Sequence, residues 1–165
     1  PPNSPILDSF TIHYNRDPYS PSPYSPLNNS SINDLTPSYS WNNATDDDGD
    51  KLTYQLQVDR ETSFASPDID LSGISESLPR SSTEPFTSLF EGKWYWRVRA
   101  KDSALNSQWS DVYTFWVDTT PPAEVTDLVA NIGPENGTVE LTWTNSGDDG
   151  NTGILPMGSK FKIQN

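Results

Sequence analysis

Apolar and polar residues alternate with a period of two along most of the chain from Thr36 onward. The clearest examples are residues 51–58, where Leu, Tyr, Leu and Val alternate with polar residues, and residues 93–100, where Trp, Trp, Val and Ala do the same. Such alternation predicts β-strands that each bury one face, and no segment shows the period of an amphipathic helix. We therefore predict an all-β chain.

An acidic, glycine-containing segment joins two of the predicted strands. Asp46-Asp47-Asp48-Gly49-Asp50 lies between the strand that ends at Trp41 and the strand over residues 51–58. Because tight turns favour Asp and Gly, we predict an antiparallel pair joined at this turn. Further along, a strand over residues 112–117 precedes Asp118-Thr119-Thr120-Pro121-Pro122, whose prolines predict a stiff hinge.

This combination of strand and acidic turn occurs twice. Trp41 precedes Asp46 by five residues, and Trp143 precedes Asp148 by five residues. Self-similarity of this kind indicates a repeated domain. The second copy reaches Asn165 before its pattern is complete, so we expect one whole domain and the first half of another. The predicted division is an extended arm over residues 1–22, a sandwich over 23–118 and a half-sandwich over 119–165.

The N-terminal arm is rich in Pro, Ser, Asn and Tyr. Phe10, Ile12 and Tyr14 alternate there with polar residues and predict one short strand. Four prolines follow and interrupt hydrogen bonding between strands, so we expect a linker without regular pairing. These prolines are Pro18, Pro21, Pro23 and Pro26.

The formal net charge of −13, with only 10 Lys and Arg, argues against several partners. Nucleic-acid phosphates and anionic membrane surfaces would be repelled, and no apolar run is long enough to insert into a bilayer. The chain has no Cys, so it offers no disulfides, thiolate ligands or thiol nucleophiles. The acidity is compatible with a secreted surface protein and with cation binding.

Candidate catalytic residues are few. His13 is the only histidine and lies in the arm, so the domain cannot assemble a Ser-His-Asp triad. Paired carboxylates for glycoside hydrolysis need a cleft between them, and the sequence reveals none in a closed sandwich of this size. We predict that the protein is not an enzyme and needs no cofactor for catalysis.

Five segments carry a recognisable pattern: Thr36-Pro37-Ser38-Tyr39-Ser40-Trp41, the turn from Asp46 to Leu52, Gly92-Lys93-Trp94-Tyr95-Trp96-Arg97-Val98-Arg99-Ala100, Trp109-Ser110, and Asp118 to Pro122. Together they resemble fibronectin type III domains of bacterial extracellular multidomain proteins. The resemblance implies a seven-stranded, immunoglobulin-like Greek-key β-sandwich with Trp41 in its core, followed by an incomplete second sandwich. Leu89 precedes Trp94 by the spacing that the family uses between a leucine and a tyrosine at the corner of the sandwich. Trp94 thus stands in place of this tyrosine, so the corner hydrogen bond from a phenol is in question.

The acidic turn is a candidate metal site. Asp46, Asp48 and Asp50 offer the oxygen ligands that Ca²⁺ prefers, although the alternating spacing and distant Glu of an EF-hand loop are missing. Tight turns select the same residues without any metal. Both interpretations stay open: a turn alone, or a Ca²⁺ site.

The outward side chains of the strand over residues 93–100 are a candidate interaction surface. Arg97 and Arg99 alternate with the inward residues, and the resemblance places Trp109 beside them. Guanidinium groups stacked on indole would form a structural ladder. The alternative is a ligand-facing aromatic patch, in which Tyr95 and Trp109, with Tyr113 and Trp116, stack on a glycan.

The half-sandwich needs a cover. Val139, Leu141 and Trp143 would otherwise expose an apolar face and an unpaired strand edge. The cover is either the rest of a longer polypeptide or a neighbouring subunit that completes the fold by strand addition. The arm strand of Phe10, Ile12 and Tyr14 would be a natural donor, and we expect it to dock on a neighbouring or preceding module.

These features favour a non-enzymatic, extracellular or cell-surface structural and adhesive module. Two alternatives remain open. The protein is a filament subunit whose half-sandwich is completed by another chain, or it is an accessory module, in contact with carbohydrate, of a secreted polysaccharide-degrading enzyme.

Overall fold

A computed structural model of the protein describes residues 14–144 of the 165-residue chain. All regular secondary structure in this range is β-strand, so the all-β fold class is confirmed. The chain divides into two compact units, Pro1–Asp118 and Thr119–Asn165. The strands of the first unit are β1 Ser22–Ser25, β2 Ser30–Ile32, β3 Tyr39–Asn42, β4 Thr53–Asp59, β5 Ile69–Ser75, β6 Ser81–Thr83, β7 Gly92–Lys101 and β8 Tyr113–Val117.

The first unit is a sandwich of two sheets. One sheet has the strand order β1-β3-β6, and the other has the order β2-β8-β7-β4-β5. The alternating apolar residues of both sheets face each other and form one core, as the period of two predicts. Its largest fully buried side chains are Trp41, Trp96, Tyr39, Tyr54 and Phe115.

The predicted antiparallel pairing of the strands on either side of the acidic turn is wrong. β3 lies in the three-stranded sheet, whereas β4 pairs with β5 and β7 in the five-stranded sheet. The connecting residues cross from one sheet to the other, so Trp41 and Tyr54 meet across the core with ring centroids 5.3 Å apart. Alternation shows that each strand buries one face, but it does not identify the neighbouring strand.

The proline-rich segment contributes an edge strand that the sequence did not predict. In β1, Pro23 lies opposite Trp41, and the register shifts between Pro23 and Ser25. Proline is tolerated at such an irregular edge because ladder bonds are already interrupted there. The next strand, β2, runs parallel to β8 and pairs Ser30 with Phe115.

The strand with the strongest sequence signal, β7, lies near the centre of the larger sheet. It pairs antiparallel with β4 over seven residues and with β8 along its first half. Trp94 at its start is buried, and its Nε1 donates a hydrogen bond of 2.8 Å to the carbonyl oxygen of Phe90. An indole N–H therefore provides a corner hydrogen bond where the resembled family uses a phenol.

In the second unit, the described residues form one antiparallel hairpin, β9 Val129–Ile132 and β10 Val139–Thr142. The sequence pattern predicts three strands after the hinge, at Val125 and Leu128, at Val139 to Trp143, and at Phe161 and Ile163. The first observed strand begins just after Leu128, and the third prediction falls outside the described residues. No helix within residues 14–144 combines the length and apolarity needed to cross a membrane.

Candidate interaction surfaces

The outer face of the five-stranded sheet carries a row of basic side chains from β7. Lys93, Arg97, Arg99 and Lys101 alternate with the buried residues of the strand, because successive side chains of a strand point to opposite faces. These four are a large share of the 10 Lys and Arg in the whole chain. The row is therefore a local concentration of positive charge on an acidic protein.

Aromatic rings accompany this row. The Arg97 guanidinium lies 4.2 Å from the ring centroids of both Phe64 and Trp109, and Arg99 lies 4.5 Å from Trp109. The stacking of both arginines on Trp109 is the ladder that the sequence suggested. Phe64 was not predicted to take part, because it lies in an irregular segment between β4 and β5.

Of the three other rings of the predicted patch, Tyr113 packs on the core with its ring centroid 5.8 Å from that of Trp96. The remaining two have a cation of their own. Lys93 Nζ lies 5.0 Å from the ring centroid of Tyr95 and 5.2 Å from that of Trp116. Tyr95 is half-buried, whereas Trp116 is exposed over about a third of its surface, at 36%. The rings thus mainly pack on cations within the protein. Glycan stacking at Tyr95 and Trp109 stays a prediction.

A hydrogen-bond network fixes the arginines from the neighbouring strand. Arg97 donates through Nε and Nη2 to Gln57 Oε1, and Arg99 donates through Nε to Gln55 Oε1. The two glutamine amides in turn donate to the two carboxylate oxygens of Asp70 on β5, at 2.9 and 2.6 Å. Burial, followed by the charge of Arg99, lowers the pKa of Arg97 from its ordinary value. Arginine still stays charged because that value is so high.

The acidic turn folds around the carboxylate of Asp46. Its Oδ1 accepts hydrogen bonds from the backbone N–H groups of Asp48 and Asp50, at 2.9 and 3.1 Å, which is the turn chemistry of aspartate. Burial, with the charges of Asp46, Asp102 and Asp48, raises the pKa of Asp50. Within residues 14–144, no three acidic, histidine or cysteine side chains form a group that could hold a metal ion. Ca²⁺ binding at Asp46, Asp48 and Asp50 therefore stays a prediction.

The same turn anchors the residues that precede β1. Arg16 Nη1 lies 2.8 Å from Asp47 Oδ2, and the Arg16 backbone N–H donates to Asp48 Oδ2. Tyr19 N–H donates to the carbonyl oxygen of Thr45 at 2.9 Å. We refer to residues 14–20 as the anchored segment, because the acidic turn holds them against the sandwich.

The loop between β7 and β8 holds the other side of the anchored segment. Asn15 Nδ2 donates to Asp102 Oδ2 at 2.9 Å, and Ser20 Oγ donates to the carbonyl oxygen of Gln108. Backbone N–H groups of Leu105 and Ala104 are the main reason why the pKa of Asp102 is lowered. Asp102 thus stays ionised and accepts hydrogen bonds from both its own loop and the anchored segment.

The predicted donor strand is described only at its last residue. Tyr14 is 66% exposed, and the Arg16 guanidinium lies 5.5 Å from its ring centroid. Phe10 and Ile12 fall outside the described residues, so docking of this strand stays a prediction.

The hairpin of the second unit exposes its apolar side chains. Val139 is 67% exposed, Leu141 is 39% exposed and Trp143 is 40% exposed. A two-stranded hairpin buries too little surface to be stable by itself in water. Completion of this face by further strands or by a neighbouring subunit stays a prediction.

No family model matches the chain, and a search of curated proteins found no similar sequence. Among solved structures, the chain is similar to the fibronectin type III domain of human fibronectin type III domain containing protein 3, determined in solution. The sequence identity is 18%, the match covers 66% of this chain and 91% of that one, and the TM-score is 0.34. By the strand order of its two sheets, the first unit is an all-β, fibronectin type III-like sandwich.

Proposed function

We propose that the protein is a non-enzymatic spacer and interaction module of an extracellular or cell-surface protein, and that its sandwich transmits tension from one end to the other. The observation that supports this most directly is where the chain enters and leaves the first unit. The anchored segment is held at the end where β7 finishes, through Asp102. The last strand, β8, ends with Val117 opposite Gly92, where β7 begins.

Entry and exit of the first unit are thus separated by the length of β7. Ten residues of extended strand span about 30 Å. A pull on the two ends of this unit acts along its strands. Such a unit keeps the segments before and after it at a fixed separation, which is what a spacer requires.

The first and last parts of this unit are joined directly by hydrogen bonds. β2 runs parallel to β8, the Asn29 N–H donates to the carbonyl oxygen of Thr114, and the Asp118 N–H donates to that of Ile32. A pull on the ends draws these parallel strands in opposite directions. All bonds between them are then loaded together in shear.

Three of the described carboxylates favour a structural role. Asp46 closes a turn, Asp70 holds the arginine network, and Asp102 binds the anchored segment. Each of these three side chains thus has a structural task.

A second candidate function rests on the exposed face of the hairpin. Val139 and Leu141 are exposed on one side of β10, and an exposed apolar face of this kind favours an apolar cover. In a longer polypeptide, further strands of the same domain provide it. In a filament, a neighbouring subunit provides it, with Phe10, Ile12 and Tyr14 as the donor strand.

Two experiments test these functions. Single-molecule pulling on the full chain measures whether the first unit resists tension through β2 and β8. Light scattering of the full chain measures whether the hairpin face recruits a second copy. An accessory role in a polysaccharide-degrading enzyme is favoured over both only if the protein binds a neutral polysaccharide.

A further inference from the structure

A small polar cavity lies on the outer face of the five-stranded sheet, next to Arg99. Its volume is about 290 Å³, and it forms where β5 departs from regular pairing with β4, between Tyr54 and Leu56. Gly73, at a φ of 73°, permits this irregularity because it lacks a Cβ. The side chains that line the cavity include those of Thr53, Gln55, Ser72, Arg99, Lys101 and Asn106.

The lining of this cavity is positively charged. It contains two cations, Arg99 and Lys101, and no carboxylate. Among the described residues, the ion pair within salt-bridge distance is that of Arg16 with Asp47, which lies outside the lining of this cavity. Within this part of the chain, Arg99 and Lys101 therefore have no carboxylate within that distance. The carboxylates next to these cations, Asp102 beside Lys101 and Asp70 behind Gln55, lie outside the lining. The cavity itself therefore presents two cations to an external anion.

Arg99 is held in place before any ligand arrives. Its Nε donates to Gln55 Oε1 at 2.8 Å, and its guanidinium stacks on Trp109. The two Nη groups can then donate to a ligand. Because the guanidinium is planar, two of its N–H groups can bind a carboxylate through two parallel hydrogen bonds. Because the side chain is already fixed, binding costs less conformational entropy.

The neutral part of the lining indicates what carries the anion. Thr53, Ser72, Gln55 and Asn106 supply hydroxyl and amide groups, which can donate to and accept from sugar hydroxyls. The volume suits one sugar ring. The overall negative charge of the protein repels densely charged polyanions, and so favours a ligand with isolated carboxylates.

We propose that this cavity binds the carboxylate of an acidic sugar residue, with Arg99 and Lys101 on the carboxylate and the neutral side chains on the ring hydroxyls. The site goes beyond the proposed spacer function and does not depend on it. It would give the module a glycan ligand on the outer face of the larger sheet, near the end where β7 finishes.

The test is a titration of the full chain with glucuronate. Binding is monitored by two-dimensional ¹H–¹⁵N NMR spectra that include the arginine Nε–H signals. Glucuronate is compared with glucose, which lacks the carboxylate, with acetate, which lacks the ring, and with N-acetylglutamate amide, which carries an acidic side chain instead. We expect glucuronate to shift the Arg99 Nε–H and Asn106 signals with a Kd of about 1 to 10 mM, and each comparison compound to bind at least about fivefold more weakly.

Two variants with the same change of net charge locate the site. Lys101→Gln removes one cation of the cavity, whereas Lys51→Gln removes an exposed lysine outside its lining. We expect Lys101→Gln to weaken glucuronate binding about five- to tenfold and Lys51→Gln to leave it unchanged.

Three results would overturn the proposal. The first is the absence of saturable shifts up to about 50 mM glucuronate, well above the expected Kd. The second is acetate or N-acetylglutamate amide binding as tightly as glucuronate, which would mean recognition of an anion or an acidic peptide. The third is an equal effect of both lysine variants, which would mean attraction by overall charge.

Discussion

Arg16 and Asp47 are 31 residues apart in sequence, and an ion pair of 2.8 Å joins them across the end of the sandwich. This contact gives the acidic turn a structural role. Both side chains are about half exposed, so water and salt screen the pair. Its importance is therefore local: it holds the anchored segment and contributes little to the stability of the whole unit.

Replacement of Arg16 by Gln tests this role. We expect hydrogen exchange at the Tyr19 amide, which donates to Thr45, to become faster, while the free energy of global unfolding stays nearly unchanged. Lys51→Gln is the control for the lost charge. Unchanged protection of the Tyr19 amide in Arg16→Gln would show that the ion pair does not hold the segment.

Trp94 and Trp96 provide a matched pair of buried indoles. Trp94 Nε1 donates to the Phe90 carbonyl oxygen, whereas Trp96 Nε1 has no hydrogen-bond partner among the described residues. Trp→Phe at either position loses similar packing, but only at Trp94 does it break a hydrogen bond. We expect Trp94→Phe to lower the free energy of unfolding by about 1 kcal/mol more than Trp96→Phe, measured by urea denaturation. Equal losses would mean that the corner hydrogen bond is not stabilising.

Tyr54 links stability to alkaline pH. Burial is the main cause that raises its pKa to about 12, and its hydroxyl accepts a hydrogen bond from the Ala44 N–H. The unfolded chain loses this proton near pH 10, so the stabilisation is complete below that pH and is lost as the pH rises toward 12. Burial also raises the pKa of Tyr39, and this shift changes the pH dependence of stability in the same direction.

Tyr54→Phe should therefore make the free energy of unfolding less dependent on pH between 10 and 12. At neutral pH it should cost about 1 to 3 kcal/mol, because the buried Ala44 N–H loses its acceptor. Urea denaturation at several pH values, with tyrosinate absorbance in the wild type, measures both effects. An unchanged pH dependence in Tyr54→Phe would contradict the raised pKa.

The exposed hairpin predicts association between copies. Leu141 is part of the apolar set of β10, and Glu140 points to the opposite side of that strand. Leu141→Lys should reduce any self-association of the full chain, whereas Glu140→Lys should preserve it. Light scattering over a range of concentrations gives the apparent mass. A monomer at every concentration would rule out completion by a second copy.

Much of the fold followed from alternation, and the rest depended on where loops run. The period of two located β4 and β7 and the buried face of each, because side-chain direction is a local property. It could not show that β3 and β4 belong to different sheets, since pairing depends on the path of the connecting loop. The short β2 gave no signal, because Ser30-Ser31-Ile32 contains a single apolar residue.

The interaction surfaces were only partly predictable for a similar reason. The stacking of Arg97 and Arg99 on Trp109 followed from alternation together with the resembled family. The cavity beside Arg99 did not, because it requires the irregular pairing of β4 with β5. The contact between Arg16 and Asp47 joins an irregular segment to a turn, and no periodic pattern relates such residues.

The spacer function is tested most directly by pulling on both ends of the full chain with a single-molecule force instrument. Ser31 and Ser82 are the exposed central residues of two three-residue edge strands, β2 and β6, and only β2 is bonded to the last strand. Proline at either position disturbs an edge strand to a similar extent.

We predict that the wild type unfolds its first unit in one step that releases about 300 Å of chain, and that Ser31→Pro lowers the unfolding force much more than Ser82→Pro. Equal forces in the two variants, or gradual extension of the wild type without a distinct unfolding step, would contradict the account.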